Sequence, residues 1–263
     1  MKTYWQNYID GAWVDGGAGR IDVFNPGTGE KLAEQALADA GDVDRAVMAA
    51  QRVHQSGALS DLRPVEMAAR SLSAALATGN TCVVKTPELS PPSNAWFAHA
   101  VEAVGLPEGA VNILCGLGHE VGAALSAHPH VNQIVFTGSV PTGIAIATAA
   151  AQNVVPCVLE LGGKSAAIVH DDADLAAFEN DVRWGIYFNA GQVCSAMSRV
   201  IVHESVHDEL VDRMVGVAQS LTVKPGVEQP EFGPTMGAMV SEGQRDRAAQ
   251  MVSDAEGQGA TVA

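Results

Sequence analysis

The sequence predicts an α/β protein built around parallel strands, and three observations carry that expectation. From residue 65 onward, short apolar runs alternate with amphipathic stretches of helical length, the pattern of successive βαβ units. The composition, 47% hydrophobic and 17% charged with abundant Gly and Ala and few aromatics, is that of a globular protein with a substantial core. The length of 263 residues suits one large α/β domain or two smaller ones.

Residues 3–25 read as a short β-hairpin in which YIDG and AWVDG alternate around Gly11 and Gly16–Gly17 close the second strand. A turn and a strand follow in 26-PGTGEKLAEQALA. Asp42 reads as the N-cap of an amphipathic helix that Gly57 ends. Then come helix EMAARSLSAALATG, strand TCVVK, helix NAWFAHAVEAVG and strand VNILC. The glycine-containing GLGHE leads to helix VGAALSAH, strand VNQIVFTG, helix PTGIAIATAAAQ and strand VPCVLELGG. Beyond Lys164 the order is strand SAAIV, helix LAAFENDVRWGIYFNAG, a turn holding Cys194, strand SRVIVH and helix VHDELVDRMVGVAQSL. From Lys224 the chain is Gly-, Pro- and Gln-rich, and no element is assigned to it.

Charge and targeting signals narrow the function. A net charge of −15 gives little attraction to nucleic-acid backbones or anionic membranes, so neither partner is expected. The start, MKTYWQNYIDGAWVDGG, lacks the apolar stretch of a signal peptide, and no run approaches the length of a membrane span. The four cysteines (Cys82, Cys115, Cys157 and Cys194) lack CxxC spacing, which suits free thiols in the cytoplasm. Three of them lie in apolar strand-like runs, where cysteine behaves as a small hydrophobe; only Cys194 sits among small and polar residues.

Three segments resemble functional motifs. The stretch 203-HESVH-207 spells the zinc-protease pattern, whose chemistry needs both histidines on one helix face. Here His203 closes a strand-like run and Ser205 with Asp208 reads as a capping box, so the helix would start after His203; no metal site is expected. The stretch 116-GLGHEVG-122 is a weak dinucleotide fingerprint with its third glycine one position late. Most specific is the pair 159-LELGGKS-165 and 189-NAGQVCSA-196. A carboxylate, Glu160, and a thiol, Cys194, thirty-four residues apart supply a nucleophile and a base for covalent acyl chemistry.

These segments resemble the aldehyde dehydrogenase superfamily, whose signatures are E-L-G-G-K and G-Q-x-C. The resemblance extends in the family's order to 79-GNTCVVKTPELSP-91, 105-GLPEGAVNIL-114, 136-FTGS-139 and 158-VLELGGKSAAIV-169. It implies a Rossmann-like parallel-sheet nucleotide-binding domain over residues 1–161, including the hairpin, and the first part of an α/β catalytic domain over residues 162–263. It also implies NAD-dependent oxidation of a small-molecule aldehyde to a carboxylic acid. By resemblance Cys194 forms a thiohemiacetal and then a thioester, and Glu160 activates the water that releases the acid. Lys85 and Glu88 match the adenosine-ribose residues, and the Glu88 carboxylate favours NAD over NADP by repelling a 2′-phosphate. Ser139, after Phe136 and Gly138, matches the pyrophosphate contact at a helix start. Gly118 matches a glycine that permits close cofactor approach, and Leu161 and Gly162 match positions near the nicotinamide.

The family pattern is interrupted in two places. The family's P-W-N-[FY]-P motif, whose Asn donates to the oxyanion, is replaced by 60-SDLRP-64, with Leu62 at the Asn position. Arg63–Pro64 therefore reads as the junction of an internal deletion. The chain also lacks the family's E-x-F-G-P segment, and the strands of the homo-oligomer interface are missing, which reads as C-terminal truncation. The alternative to a working enzyme is a non-catalytic remnant that at most binds nucleotide or a partner subunit.

Overall fold

The computed structural model describes residues 3–56, 70–89, 91–225 and 235–263. Short strands open the chain: β1 (Tyr4–Trp5), β2 (Asn7–Ile9), β3 (Ala12–Val14), β4 (Arg20–Phe24) and β5 (Lys31–Ala36). The hairpin is narrower than expected, spanning β2 and β3 around the Asp10–Gly11 turn, where both residues have positive φ. β4 instead pairs antiparallel with β5, to which β1 adds in parallel. The chain breaks after β3 because Gly16 passes against the Leu37 backbone so closely that a Cβ there would lie 1.8 Å from its carbonyl oxygen.

Helix α1 (Ala40–Ser56) begins earlier than the sequence suggests, and Asp42 is not its cap. Asp39 Oδ1 accepts from the Asp42 N–H at 2.8 Å, and Asp42 Oδ2 accepts from the Asp39 N–H at 3.0 Å, a reciprocal capping box with Asp39 at the N-cap. Asp42 also accepts from the Gly17 N–H at 2.8 Å, so its buried carboxylate ties the hairpin exit to the helix start. Gly57 and the expected junction at Leu62, Arg63 and Pro64 lie outside the described residues.

Next come α2 (Arg70–Ala77), β6 (Cys82–Lys85), α3 (Pro91–Val104) and β7 (Val111–Leu114). Helix α3 starts three residues before the expected Asn94, since proline fits a first helical turn that has no N–H partner to lose. A π-helical turn, Gly118–Gly122, runs into α4 (Ala123–Ser126), then β8 (Ile134–Gly138), α5 (Val140–Ala151) and β9 (Cys157–Leu161). The second unit carries β10 (Ala166–Val169), α6 (Leu175–Gly185), β11 (Arg199–Val202), α7 (His207–Ser220), β12 (Thr222–Val223), β13 (Thr235–Met236) and α8 (Glu242–Gly257). By their contacts the units are Met1–Phe24 with Lys31–Leu161, and Asn25–Glu30 with Gly162–Ala263.

Parallel pairing recurs at three βαβ crossovers: β6–α3–β7, β8–α5–β9 and β10–α6–β11. In the first, β7 also pairs antiparallel with β2, giving the order β3-β2-β7-β6. Every residue of β7 is buried, as expected of a strand covered on both faces. Ile113 joins Tyr8, Val53, Leu76, Ala98 and Val101 in one apolar cluster, while Leu114 joins Ile9, Val43, Val47 and Val121 in another. Two asparagines fix the hairpin to this strand: Asn7 Oδ1 accepts from the Cys115 N–H at 2.6 Å, and Asn112 Oδ1 accepts from the Asp10 N–H at 2.9 Å. In the second unit Val169, Leu175 and Leu210 form the core between β10, α6 and α7.

Helices α2, α3, α5 and α8 end in one pattern, and α5 differs only in the residue that turns the chain. In α2, α3 and α8 the N–H groups after the helix fold back onto its last carbonyls, and the residue that turns the chain is Gly79, Gly105 or Gly259, each at positive φ. After α5 the same pattern forms, with Val154 N–H on Ala151 O and Val155 N–H on Ala150 O, but the turning residue is Val154 at φ 56°. A β-branched side chain in the left-handed region is strained, and this one is also 89% exposed. Val154→Gly is therefore expected to stabilise the fold by about 1 kcal/mol, a rise in Tm of about 2–4 °C by calorimetry.

Two further boundaries differ from expectation. Helix α6 stops at Gly185, six residues early; there the Gly185 carbonyl accepts from the Met197 N–H at 2.8 Å instead of from a next helical turn. Helix α8 occupies the tail to which no element is assigned; Ser241 caps it, its Oγ accepting from the Gln244 N–H at 3.3 Å, and it has no buried residue.

Candidate active site

In the first unit the predicted nucleotide residues converge. β6 delivers Lys85 at its end, and the turn that follows brings Glu88 back beside it: Lys85 Nζ lies 2.8 Å from Glu88 Oε2. The other carboxylate oxygen, Oε1, accepts from the Gly118 N–H, at the open end of the turn Gly118–Gly122. A Cβ on Gly118 would stand 3.2 Å from that same oxygen, which is why glycine fits the position. Burial alone would raise the Glu88 pKa. Hydrogen bonds from Lys85 and the backbone, with the Lys85 charge, outweigh it and hold the carboxyl below its ordinary value.

A carboxyl whose folded pKa is depressed contributes stability above its unfolded pKa, about 4.3 for Glu, and that contribution is lost as pH falls through the folded value. The Gly118 amide is thus expected to be protected from hydrogen exchange at neutral pH and to lose that protection on acidification, at a pH below the ordinary carboxylate range. Unchanged Gly118 exchange at neutral pH in Glu88→Ala would show that the Glu88 carboxylate does not hold this turn.

Beneath the Lys85–Glu88 turn lies a buried polar layer that sequence reasoning missed. Thr86 N–H donates to Leu114 O at 2.8 Å, and Gln35 Nε2 donates to Glu88 O at 3.5 Å. Gln35, Thr86 and Asn7 are fully buried. Nothing local marks Gln35 or Asn7, because their partners lie 53 and 108 residues away.

The second group surrounds β8, β9 and α5. Ser139 is the N-cap of α5, its Oγ accepting from the Thr142 N–H at 3.4 Å, and the positive end of the helix dipole lies there. The Phe136 ring packs over Gly138, where a Cβ would meet its Cζ at 2.4 Å. Leu161 packs on α5 at Gly143, where a Cβ would meet Leu161 Cδ2 at 2.8 Å, and Gly162 is exposed. Glu160 pairs in register with Thr137 on the face of β8–β9 opposite α5, and exposed Val135 and Val158 share that face.

Cys194 belongs to the second unit. After α6 the chain makes a 3₁₀ turn, Phe188–Gly191, in which Asn189, Ala190 and Gly191 all have positive φ. Alanine in that region costs roughly 1–2 kcal/mol, so neighbouring bonds must hold it. The loop is closed by Met197 N–H donating to Gly185 O at 2.8 Å, and Ala196 N–H donates to Val193 O at 3.1 Å. Cys194 is exposed, and among the described residues nothing accepts from its N–H. The other thiols differ. Cys115 is buried, and burial pushes its pKa up despite the Thr86 hydrogen bond and the Lys85 charge; Cys82 is half-buried, with its pKa pushed up to about 11 by burial. Cys157 is half-buried and its Sγ donates to Val155 O at 3.8 Å.

The structure thus brings Lys85, Glu88 and Gly118 into direct contact and groups Phe136, Gly138, Ser139, Glu160 and Leu161 around one crossover, while Cys194 stands in the other unit. At 203-HESVH-207, His203 lies outside α7 as expected, but Ser205 is not the cap. Residues 204–206 form a 3₁₀ turn whose N-cap is His203, its Nδ1 accepting from the Ser205 N–H at 3.3 Å. Ser205 Oγ lies 2.9 Å from His203 Nδ1, so the hydroxyl meets the imidazole instead of capping α7. Among the described residues no group of three or more His, Cys, Asp or Glu side chains could hold a metal ion, and no helix is long and apolar enough to cross a membrane.

Known proteins place this arrangement. The sequence profile of the Aldehyde dehydrogenase family matches residues 63–263. An aminoaldehyde dehydrogenase of Malus domestica, named as peroxisomal, is 42% identical over 199 residues, which are 76% of this chain and 39% of that protein. The betaine aldehyde dehydrogenase of Hordeum vulgare is 41% identical over 202 residues, again 76% and 39% of the two chains. The matched stretch is therefore about two-fifths of these relatives' length. Among solved structures, betaine aldehyde dehydrogenase from Staphylococcus aureus in complex with NAD+ superposes with a TM-score of 0.89 at 26% identity, covering 98% of this chain and 69% of that one. The chain belongs to the aldehyde dehydrogenase family.

Proposed function

We propose that this chain carries out NAD-dependent oxidation of an aldehyde to a carboxylic acid, with Cys194 as nucleophile and Glu160 as the base that activates water. The observation that carries the reading is the Cys194 loop: the only exposed thiol among the described residues, three residues past a strained turn, with its own N–H unpaired within them. Its sulfur attacks the aldehyde carbon, and the Cys194 N–H is placed to donate to the oxyanion that develops. Glu160, on the open face of β8–β9, accepts a proton from the water that attacks the acyl carbon, and the C–S bond breaks to free the acid.

The residues present fit NAD. Glu88 and Lys85 would hold the adenosine ribose, a 2′-phosphate would meet the Glu88 carboxylate, and Ser139 with the start of α5 would hold the pyrophosphate. When bound, NAD+ supplies the hydride acceptor. Phe136, Gly138, Leu161 and Gly162 shape the wall around the cofactor, and the cytoplasm is the compartment. Because relatives are named for betaine aldehyde and aminoaldehydes, small aldehydes bearing an ammonium group are the first substrates to assay.

A second reading, nucleotide binding without turnover, is favoured by one observation: Leu62 stands where the family's oxyanion Asn belongs. Purified chain with NAD and a panel of aldehydes separates the two. NADH absorbance at 340 nm supports oxidation. Binding of NAD by calorimetry with no NADH from any aldehyde supports the second reading, and absence of both overturns the cofactor assignment.

A further inference from the structure

The reading of Cys194 as nucleophile leaves open what holds its loop in a left-handed path, and the loop's hydrogen bonds converge on one side chain. Gln192 N–H and Gln192 Nε2 both donate to Asn189 O, at 3.1 and 3.0 Å, and Asn189 Nδ2 donates back to Gln192 O at 3.1 Å. The remaining atom of the Gln192 amide, Oε1, accepts from the Val240 N–H at 3.0 Å. One amide thus grips both the strained turn and a segment 48 residues further along the chain, just ahead of the Ser241 cap of α8.

We propose that Gln192 is a positioning residue for Cys194, holding the 189–191 turn in its left-handed path so that Val193 and Cys194 stand out in solvent. The proposal rests on the nucleophile assignment and deepens it. Asn189 tolerates the left-handed region, since its short polar side chain bonds locally, and Gly191 adopts it freely; Ala190 does neither, so its conformation persists only while its surroundings impose it. Without the clasp Ala190 relaxes, and the exposed pair Val193–Cys194 collapses onto the protein surface, taking the thiol out of reach.

The test is the rate of iodoacetamide labelling at each cysteine, read by mass spectrometry, with buried Cys115 as the internal report of unfolding. Gln192→Met keeps the side chain's bulk and removes all its hydrogen bonds. Labelling of Cys194 is expected to slow about tenfold with Cys115 still protected, and Ala190→Gly in the same chain, which makes the left-handed path cheap, is expected to restore it. A merely structural role would raise Cys115 labelling along with any change at Cys194. Wild-type labelling of Cys194 in Gln192→Met, or no recovery with Ala190→Gly, overturns the proposal. Should Gln192→Met unfold, Gln192→Asn, one methylene too short to reach both Asn189 and Val240, carries the same expectation and the same rescue. Because labelling needs neither NAD nor aldehyde, a chain that forms no NADH would fail the nucleophile reading while leaving the clasp intact.

Discussion

Replacing Cys194 by alanine is expected to lower NADH formation by on the order of 10⁴-fold or more, the effect of removing a nucleophile that works as part of a unit. No other thiol is placed to substitute. Cys115 is buried behind β7, and Cys82 is half-buried with a pKa of about 11, which leaves almost no thiolate at neutral pH. Cys157 is half-buried at the start of β9, with its sulfur directed to the Val155 carbonyl. Limiting iodoacetamide should reproduce the loss in the unmutated chain, with Cys194 modified before the other three. A Cys194→Ala chain that kept even a tenth of the wild-type rate would exclude the covalent route.

Changing Glu160 to glutamine should separate the two halves of the reaction. The amide preserves size and cannot accept the proton of an attacking water, so acyl release slows by about 10²–10⁴-fold, the range for a removed general base. Nucleophilic attack does not involve Glu160. Rapid mixing should therefore show an initial burst approaching one NADH per chain, followed by slow turnover, and mass spectrometry should find the acyl group on Cys194. Loss of the burst along with turnover would mean that Glu160 acts before the thioester forms. Glu160 stands on the same face as exposed Val135 and Val158, so the substitution disturbs no packed core.

How far the fold was legible depended on whether the signal was local. The βαβ alternation, strands β6 to β11 and the glycine-marked ends of α2 and α3 are written in periodicity and turn residues, and they formed where expected. Asp39 and Asp42 share a local cap, so sequence named the right neighbourhood and the wrong member, because both carboxylates bond across the same turn. The early end of α6 was not legible: the sequence 186-IYFNAG-191 gives no stop before Gly191, and the N–H that takes the Gly185 carbonyl belongs to Met197, well beyond the helix. Helix α8 was missed because it buries nothing, so no apolar stripe announces it; only Ser241 and Gln244 mark its start. At the candidate site Glu88 and Cys194 each carry a motif signal, whereas the side chains bonded around them carry none. Gln35 reaches Glu88 across 53 residues and Gln192 reaches Val240 across 48, distances at which a chain carries no pattern.

The two asparagines that fasten the hairpin have a bearing on where this protein can be cut. The family profile begins at residue 63, so similarity alone would draw a boundary there and treat the preceding segment as a passenger. Burial draws it elsewhere. Without that segment the Cys115 N–H loses its acceptor, β7 loses a neighbouring strand, and Ile113 and Leu114 lose Tyr8, Ile9, Val43, Val47 and Val53 as partners. The solved relative agrees with burial, since its superposition takes in 98% of the chain. The stretch by which this protein is recognised and the stretch that folds are different lengths of the same chain, and the second includes the hairpin.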